Sequence, residues 1–62
     1  MPLVTVKIIE GRTLEQKRGM VKDVTAAIAK NIGCPTSAVH IDIVEMKQDC
    51  YAQDGKMWCD TH

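Results

Sequence analysis

Residues Leu3 to Ile9 read Leu-Val-Thr-Val-Lys-Ile-Ile, with Val4, Val6 and Ile8 on one side of a two-residue repeat and Thr5 and Lys7 on the other. That alternation, in a run rich in β-branched side chains, predicts a strand. Glu10-Gly11-Arg12 ends it, the glycine permitting a turn. From Thr13 the period lengthens. Leu14, Val21, Val24, Ile28 and Ile32 recur at near-helical spacing with Ala27 beside them, while Lys17, Arg18, Lys22, Asp23 and Lys30 fall on the other faces. Thr13-Leu14-Glu15-Gln16 has the form of a capping box, in which the threonine hydroxyl and the glutamine side chain satisfy free backbone N–H groups reciprocally. Gly19 is a mild defect, costing about 1 kcal/mol against alanine. Gly33 closes the helix and Pro35 prevents its resumption, so one helix of about 19 residues is expected.

A second strand is predicted from Val39 to Met46, with Val39, Ile41 and Ile43 on one face and His40, Asp42 and Val44 on the other. Strand, helix and strand form a single βαβ unit, whose crossover makes the strands parallel. In the polar tail from Gln48 onward, Asp54-Gly55 is a hairpin signal flanked by Cys50-Tyr51 and Met57-Trp58. The fold class is therefore α/β: one βαβ unit plus a C-terminal β-hairpin, in a single domain over residues 1–62. One helix covers only one face of a two-stranded parallel sheet, whereas parallel sheets are normally covered on both. The strand edges also carry unpaired backbone groups. Copies pairing edge to edge and packing their sheets together would remove both deficits, so an oligomer is expected.

Composition agrees. A chain of 62 residues with two aromatics, Tyr51 and Trp58, has a marginal core of its own. Small scaffolds of this size add disulfides, a metal or self-association. Cys34, Cys50 and Cys59 are an odd set without framework spacing, and the N-terminus lacks a basic region followed by an apolar core; an intracellular, cytoplasmic protein with reduced thiols is expected. No apolar run approaches the roughly 20 residues that span a bilayer. Eight basic and eight acidic residues, with the basic ones scattered, argue against nucleic acid as a partner. Cys50, Cys59 and His62, with the last two as Cys-x-x-His, offer zinc-type ligands. A structural site wants four, and the spacing is not diagnostic, so no metal is expected.

Pro2 stands directly behind Met1. Removal of the initiator methionine would turn its amide nitrogen into a secondary ring amine, which can act as a base. Met-Pro-Leu-Val at the start, Ile-Glu-Gly-Arg-Thr-Leu-Glu-Gln-Lys at residues 9 to 17, Cys34-Pro35-Thr36-Ser37 and Val-His-Ile-Asp-Ile-Val-Glu-Met at 39 to 46 together resemble the 4-oxalocrotonate tautomerase family, over essentially the whole chain. The resemblance implies a homohexamer, a trimer of dimers with active sites formed between chains, and cofactor-free tautomerisation of a small unsaturated 2-oxo acid. Pro2 would be the general acid/base, in a largely apolar pocket that disfavours its charged form. Arg12 would grip the substrate carboxylate, for which a permanently charged guanidinium is suited.

His40 departs from the pattern: the best-known members carry a second arginine there, for the far end of a dicarboxylate. A neutral imidazole offers one hydrogen bond without the permanent charge, or serves structurally at an oligomer contact. Tyr51 matches an aromatic pocket residue and Ile9 an aliphatic one, and the hairpin turn, Ala52-Gln53-Asp54-Gly55, is less glycine-rich than the pattern. Two alternatives stand beside this reading. One is hydration or dehalogenation of unsaturated acids, with Asp42 or Glu45 activating water. The other is an inactive oligomeric binding protein of the same fold.

Overall fold

A computed structural model describes residues 1–61 of the chain. Strand β1 (Leu3–Ile9) leads into helix α1 (Leu14–Ile32), and β2 (His40–Met46) returns beside β1 in parallel, from Leu3↔His40 to Ile9↔Met46. Every part of the helix signal is realised. Thr13 accepts a hydrogen bond from the Gln16 N–H at 3.1 Å while its own N–H donates to Gln16 Oε1 at 2.9 Å. Gly33 closes the helix in the left-handed region, at φ 80°, its N–H donating to the Ala29 carbonyl. A short antiparallel ladder, β3 (Ala52–Gln53) with β4 (Lys56–Met57), follows, and the described residues end in a single turn of helix, α2 (Trp58–Thr61). Asp54 and Gly55 both take positive φ, 55° and 74°, as the tight hairpin turn requires.

Helix α1 lies on one face of the sheet. Glu45, in phase with Ile41 and Ile43, meets Lys17 of α1 at 2.5 Å, and Ile8 shares a hollow with Met20 of α1. Val4, Val6 and Ile8 of β1, Ile41 and Ile43 of β2, and Val21, Val24 and Ile28 of α1 are accordingly half-buried. Leu3, Thr5, Lys7, His40, Asp42 and Val44 point to the opposite, uncovered face and are exposed. None of the described residues is fully buried.

Four details differ from expectation. The second strand starts one residue late, because Pro35 leads into a 3-10 turn over Thr36–Ala38 and the Val39 N–H is taken by the Thr36 carbonyl at 3.2 Å. Leu14 and Ile32 remain 60% and 64% exposed: nineteen helical residues span about 28 Å, and strands of seven span roughly 20 Å, so both ends of the apolar stripe overhang the sheet. Cys50 closes a 3-10 turn, Gln48–Cys50, instead of entering the hairpin ladder. Trp58 begins α2, its N–H bonding the Tyr51 carbonyl at 2.8 Å.

Candidate active site

The expected site residues fall into two groups at opposite ends of the sheet. At the starting end, Pro2 precedes β1 and is half-buried, and its carbonyl accepts the His40 backbone N–H at 3.1 Å. The parallel register forces this proximity, since the first residues of both strands lie side by side. The His40 imidazole faces the uncovered side and makes no hydrogen bond among the described residues.

At the finishing end, Ile9 and Tyr51 come together in an open cavity of about 520 Å³ lined also by Lys7, Met46 and Trp58. Ile9 and Met46 are cross-strand partners and form its apolar floor. The Tyr51 and Trp58 rings meet edge to face, centroids 5.6 Å apart at 66°, an arrangement suited to the aromatic quadrupole. The hairpin turn brings these two aromatics together. Lys7, Met46 and Trp58 were not anticipated from the sequence. Their signal was the position of Lys7 in phase with Ile9 and the placing of both aromatics around one Asp-Gly turn.

Arg12 also belongs to this end, just past the Gly11 turn, where φ is 118°. It is exposed and lines a smaller hollow of about 230 Å³ on the helix side, with Ile8, Gln16, Lys17 and Met20. Within one chain, then, Ile9 and Tyr51 share a cavity, Arg12 lies around the strand end from them, and Pro2 and His40 are remote from all three. The whole length of β1, roughly 20 Å, separates Pro2 from Arg12. No arginine rotamer bridges that gap.

Of the two carboxylates considered for water activation, Asp42 accepts the Thr5 hydroxyl at 2.8 Å on the uncovered face, and Glu45 is engaged by Lys17 on the other. Among the described residues no three His, Cys, Asp or Glu side chains gather as a metal site, and His62, one of the zinc-type residues considered, lies outside them. No helix among the described residues is long and apolar enough to cross a membrane. The three cysteines are free, and the Cys50 thiol is held above its ordinary pKa chiefly by its hydrogen bond to the Asp49 carboxylate, at 3.6 Å.

Comparison with known proteins assigns the framework. The family described as "Tautomerase enzyme" matches residues 2–60. The chain belongs to the tautomerase family. It is 47% identical over 57 residues to a probable tautomerase of Streptococcus pneumoniae serotype 4, covering 92% of this chain and 95% of that protein. It is 47% identical over 60 residues, 97% of each chain, to the 2-hydroxymuconate tautomerase of Bacillus subtilis strain 168. Its fold superposes with a TM-score of 0.93 on the crystal structure of YwhB, a homologue of 4-oxalocrotonate tautomerase, at 44% identity, covering 98% of this chain and all of that one. A heterohexameric 4-oxalocrotonate tautomerase from Chloroflexus aurantiacus superposes at 0.95 with 26% identity over the full length of both chains. The tautomerase family is one of isomerases, and this chain carries its βαβ unit over Leu3–Met46 with the hairpin after it.

Proposed function

We propose that this tautomerase interconverts enol and keto forms of a small, unsaturated 2-oxo acid, with the Pro2 amine of one chain working on a substrate held by Arg12, Ile9 and Tyr51 of another. The observation that carries this reading is the split of the site. The candidate base and the candidate carboxylate binder stand at opposite ends of β1, so only a second copy can complete the set. The edge of β1 not bonded to β2 is open to such a copy. An antiparallel pairing of two β1 strands along that edge would carry Pro2 of each chain towards the Ile9–Arg12 end of the other. The uncovered face, with Leu3 78% and Val44 40% exposed, supports further association into a homohexamer built as a trimer of dimers, and the heterohexameric relative is in keeping with it.

The chemistry follows from the groups. With Met1 removed, the Pro2 ring nitrogen accepts the enol hydroxyl proton. The electron pair moves through the conjugated system as the carbonyl forms, and the same nitrogen returns a proton to a carbon further along. Arg12 holds the carboxylate and draws negative charge towards itself as the dienolate develops. His40, whose backbone N–H bonds the Pro2 carbonyl, is the candidate to donate a hydrogen bond to the substrate. Tyr51 and Ile9 supply apolar wall. The substrate's own conjugation takes up the electrons, so no cofactor or metal is invoked. The partners are a small carboxylate substrate and further copies of the chain, with no role for nucleic acid or membrane, in the cytoplasm. The name of the Bacillus relative makes 2-hydroxymuconate the first substrate to try.

Two measurements test the reading. Intact-mass analysis of protein from the cell is expected to show Met1 absent; a retained methionine leaves Pro2 as a tertiary amide without basicity and ends the mechanism. Ultraviolet assays of dienol decay should then show Pro2→Ala and Arg12→Ala each lowering kcat/KM by 10²-fold or more, about the range for a positioned base or charge clamp. Wild-type rates in either variant would refute its assigned role. The hydration and dehalogenation alternative is disfavoured, because Asp42 and Glu45 are both already engaged within the chain.

A further inference from the structure

Cys50 and Cys59 stand one rung beyond the pairing of the C-terminal hairpin. Its ladder runs Gln53↔Lys56 and Ala52↔Met57. The Trp58 N–H, bonding the Tyr51 carbonyl at 2.8 Å, carries the same register one pair further. The pair after that is Cys50 with Cys59. In a regular ladder, the positions next to a hydrogen-bonded pair are the close kind, with Cα atoms about 4.5 Å apart. Here the chain turns out of the ladder, Cys50 closing the 3-10 turn Gln48–Cys50 and Cys59 lying in α2. These two short elements pack against each other. A disulfide spans roughly 4.4–6.8 Å between Cα atoms, which leaves room for that departure.

Both thiols are exposed. Each donates to the carboxylate next to it in sequence, Cys50 to Asp49 at 3.6 Å and Cys59 to Asp60 at 3.9 Å. The candidate active site uses neither of them. The third cysteine, Cys34, is half-buried just past the Gly33 cap of α1, at the opposite end of β2.

We propose that Cys50 and Cys59 are a redox-modification site, forming a reversible intrachain disulfide that closes the base of the hairpin. The oxidant is a low-molecular-weight disulfide of the glutathione type. The Cys59 thiolate attacks one of its sulfurs, and the other leaves as a thiolate. The Cys50 thiolate then attacks the Cys59 sulfur and displaces the second small thiolate. One small disulfide is reduced to two thiols, which take up the two protons released by the cysteines, and one disulfide forms in the chain. Asp49 sets this order: its hydrogen bond and charge hold the Cys50 thiol above its ordinary pKa, which disfavours Cys50 as the first attacker. The bond joins the segments that carry Tyr51 and Trp58, and so fixes the base of the cavity's aromatic wall. An exposed bridge belongs to the labile class that small thiols reopen.

Trypsin separates the three cysteines, because cleavage after Lys30, Lys47 and Lys56 puts Cys34 in residues 31–47, Cys50 in 48–56 and Cys59 in 57–62. Wild-type protein is equilibrated with reduced and oxidised glutathione, quenched with acid, alkylated and digested without reductant. Peptides 48–56 and 57–62 are expected joined, the intact denatured chain about 2 Da lighter, and dithiothreitol should reverse both changes. At one glutathione ratio, the bridged-to-reduced ratio should be at least about tenfold higher in native protein than in urea, because the hairpin brings the thiols together. Cys34→Ala should still close the bridge, whereas Cys50→Ser should stop with one glutathione on Cys59. A bridge that includes Cys34, a link between chains, glutathione left on wild-type Cys59 without closure, or equal ratios in native protein and urea would each overturn the proposal.

Discussion

Cys50 and Asp49 give a residue-scale case in which position dictates chemistry. The Asp49 carboxylate accepts the thiol hydrogen bond and, with its negative charge and that of Glu10, holds the Cys50 pKa above its ordinary value. A raised pKa leaves less thiolate near neutral pH, and the thiolate is the reactive form. In a background with Cys34 and Cys59 replaced by alanine, Asp49→Asn is expected to speed iodoacetamide alkylation of Cys50 by about severalfold at pH 8. An unchanged rate would show that Asp49 does not govern the thiol. Single residues were unevenly legible in the sequence. The sequence motifs mark Pro2, Arg12, Ile9, His40 and Tyr51 as candidates by resemblance. Lys7 and Trp58 escape because their importance depends on which sheet face the helix leaves open and on where the hairpin ends.

Elements were legible where a local rule acts alone. The capping box at Thr13 and Gln16 and the left-handed Gly33 need only neighbours in sequence, and both form as read. Thr13→Ala removes the acceptor for the Gln16 N–H and should cost about 1 kcal/mol, measured by urea unfolding at fixed protein concentration. A loss of under a few tenths would mean that solvent replaces the cap. Less legible were the start of β2, moved by a 3-10 turn, and the exposed ends of the α1 stripe. The first follows from the turn after Pro35 taking up the Val39 N–H, and the second from the relative lengths of helix and strand, which no local pattern encodes. The Lys17–Glu45 pair joins α1 to β2, and with its partly exposed side chains it adds little beyond registering the two elements.

The single chain is not shaped like a finished domain. Its radius of gyration, 14.6 Å, exceeds the about 11 Å of a compact chain of this length. Its 4828 Å² of accessible surface likewise exceeds the about 4,000 Å² expected of a folded monomer of this mass. With no described residue fully buried, stability has to come from surfaces shared between copies. Thermal unfolding should therefore depend on concentration, Tm rising with each tenfold increase in protein. A sharp, concentration-independent transition from a sedimenting monomer would defeat that account. This scale was legible early, because a βαβ unit with one helix cannot cover both sheet faces. The proposed division of the site between chains came from the family resemblance, not from spacing; the bond between the His40 N–H and the Pro2 carbonyl and the length of β1 between Pro2 and Arg12 support it.

That division is the central claim, and mixing two inactive variants tests it directly. Pro2→Ala and Arg12→Ala proteins are unfolded together in equal amounts, refolded, and assayed against each variant refolded alone. If each site takes its proline from one chain and its arginine from another, random assembly gives both wild-type residues to one site in four, and about a quarter of wild-type activity returns. If both residues act from the same chain, no mixed oligomer contains an intact site, and the mixture stays as inactive as its parents.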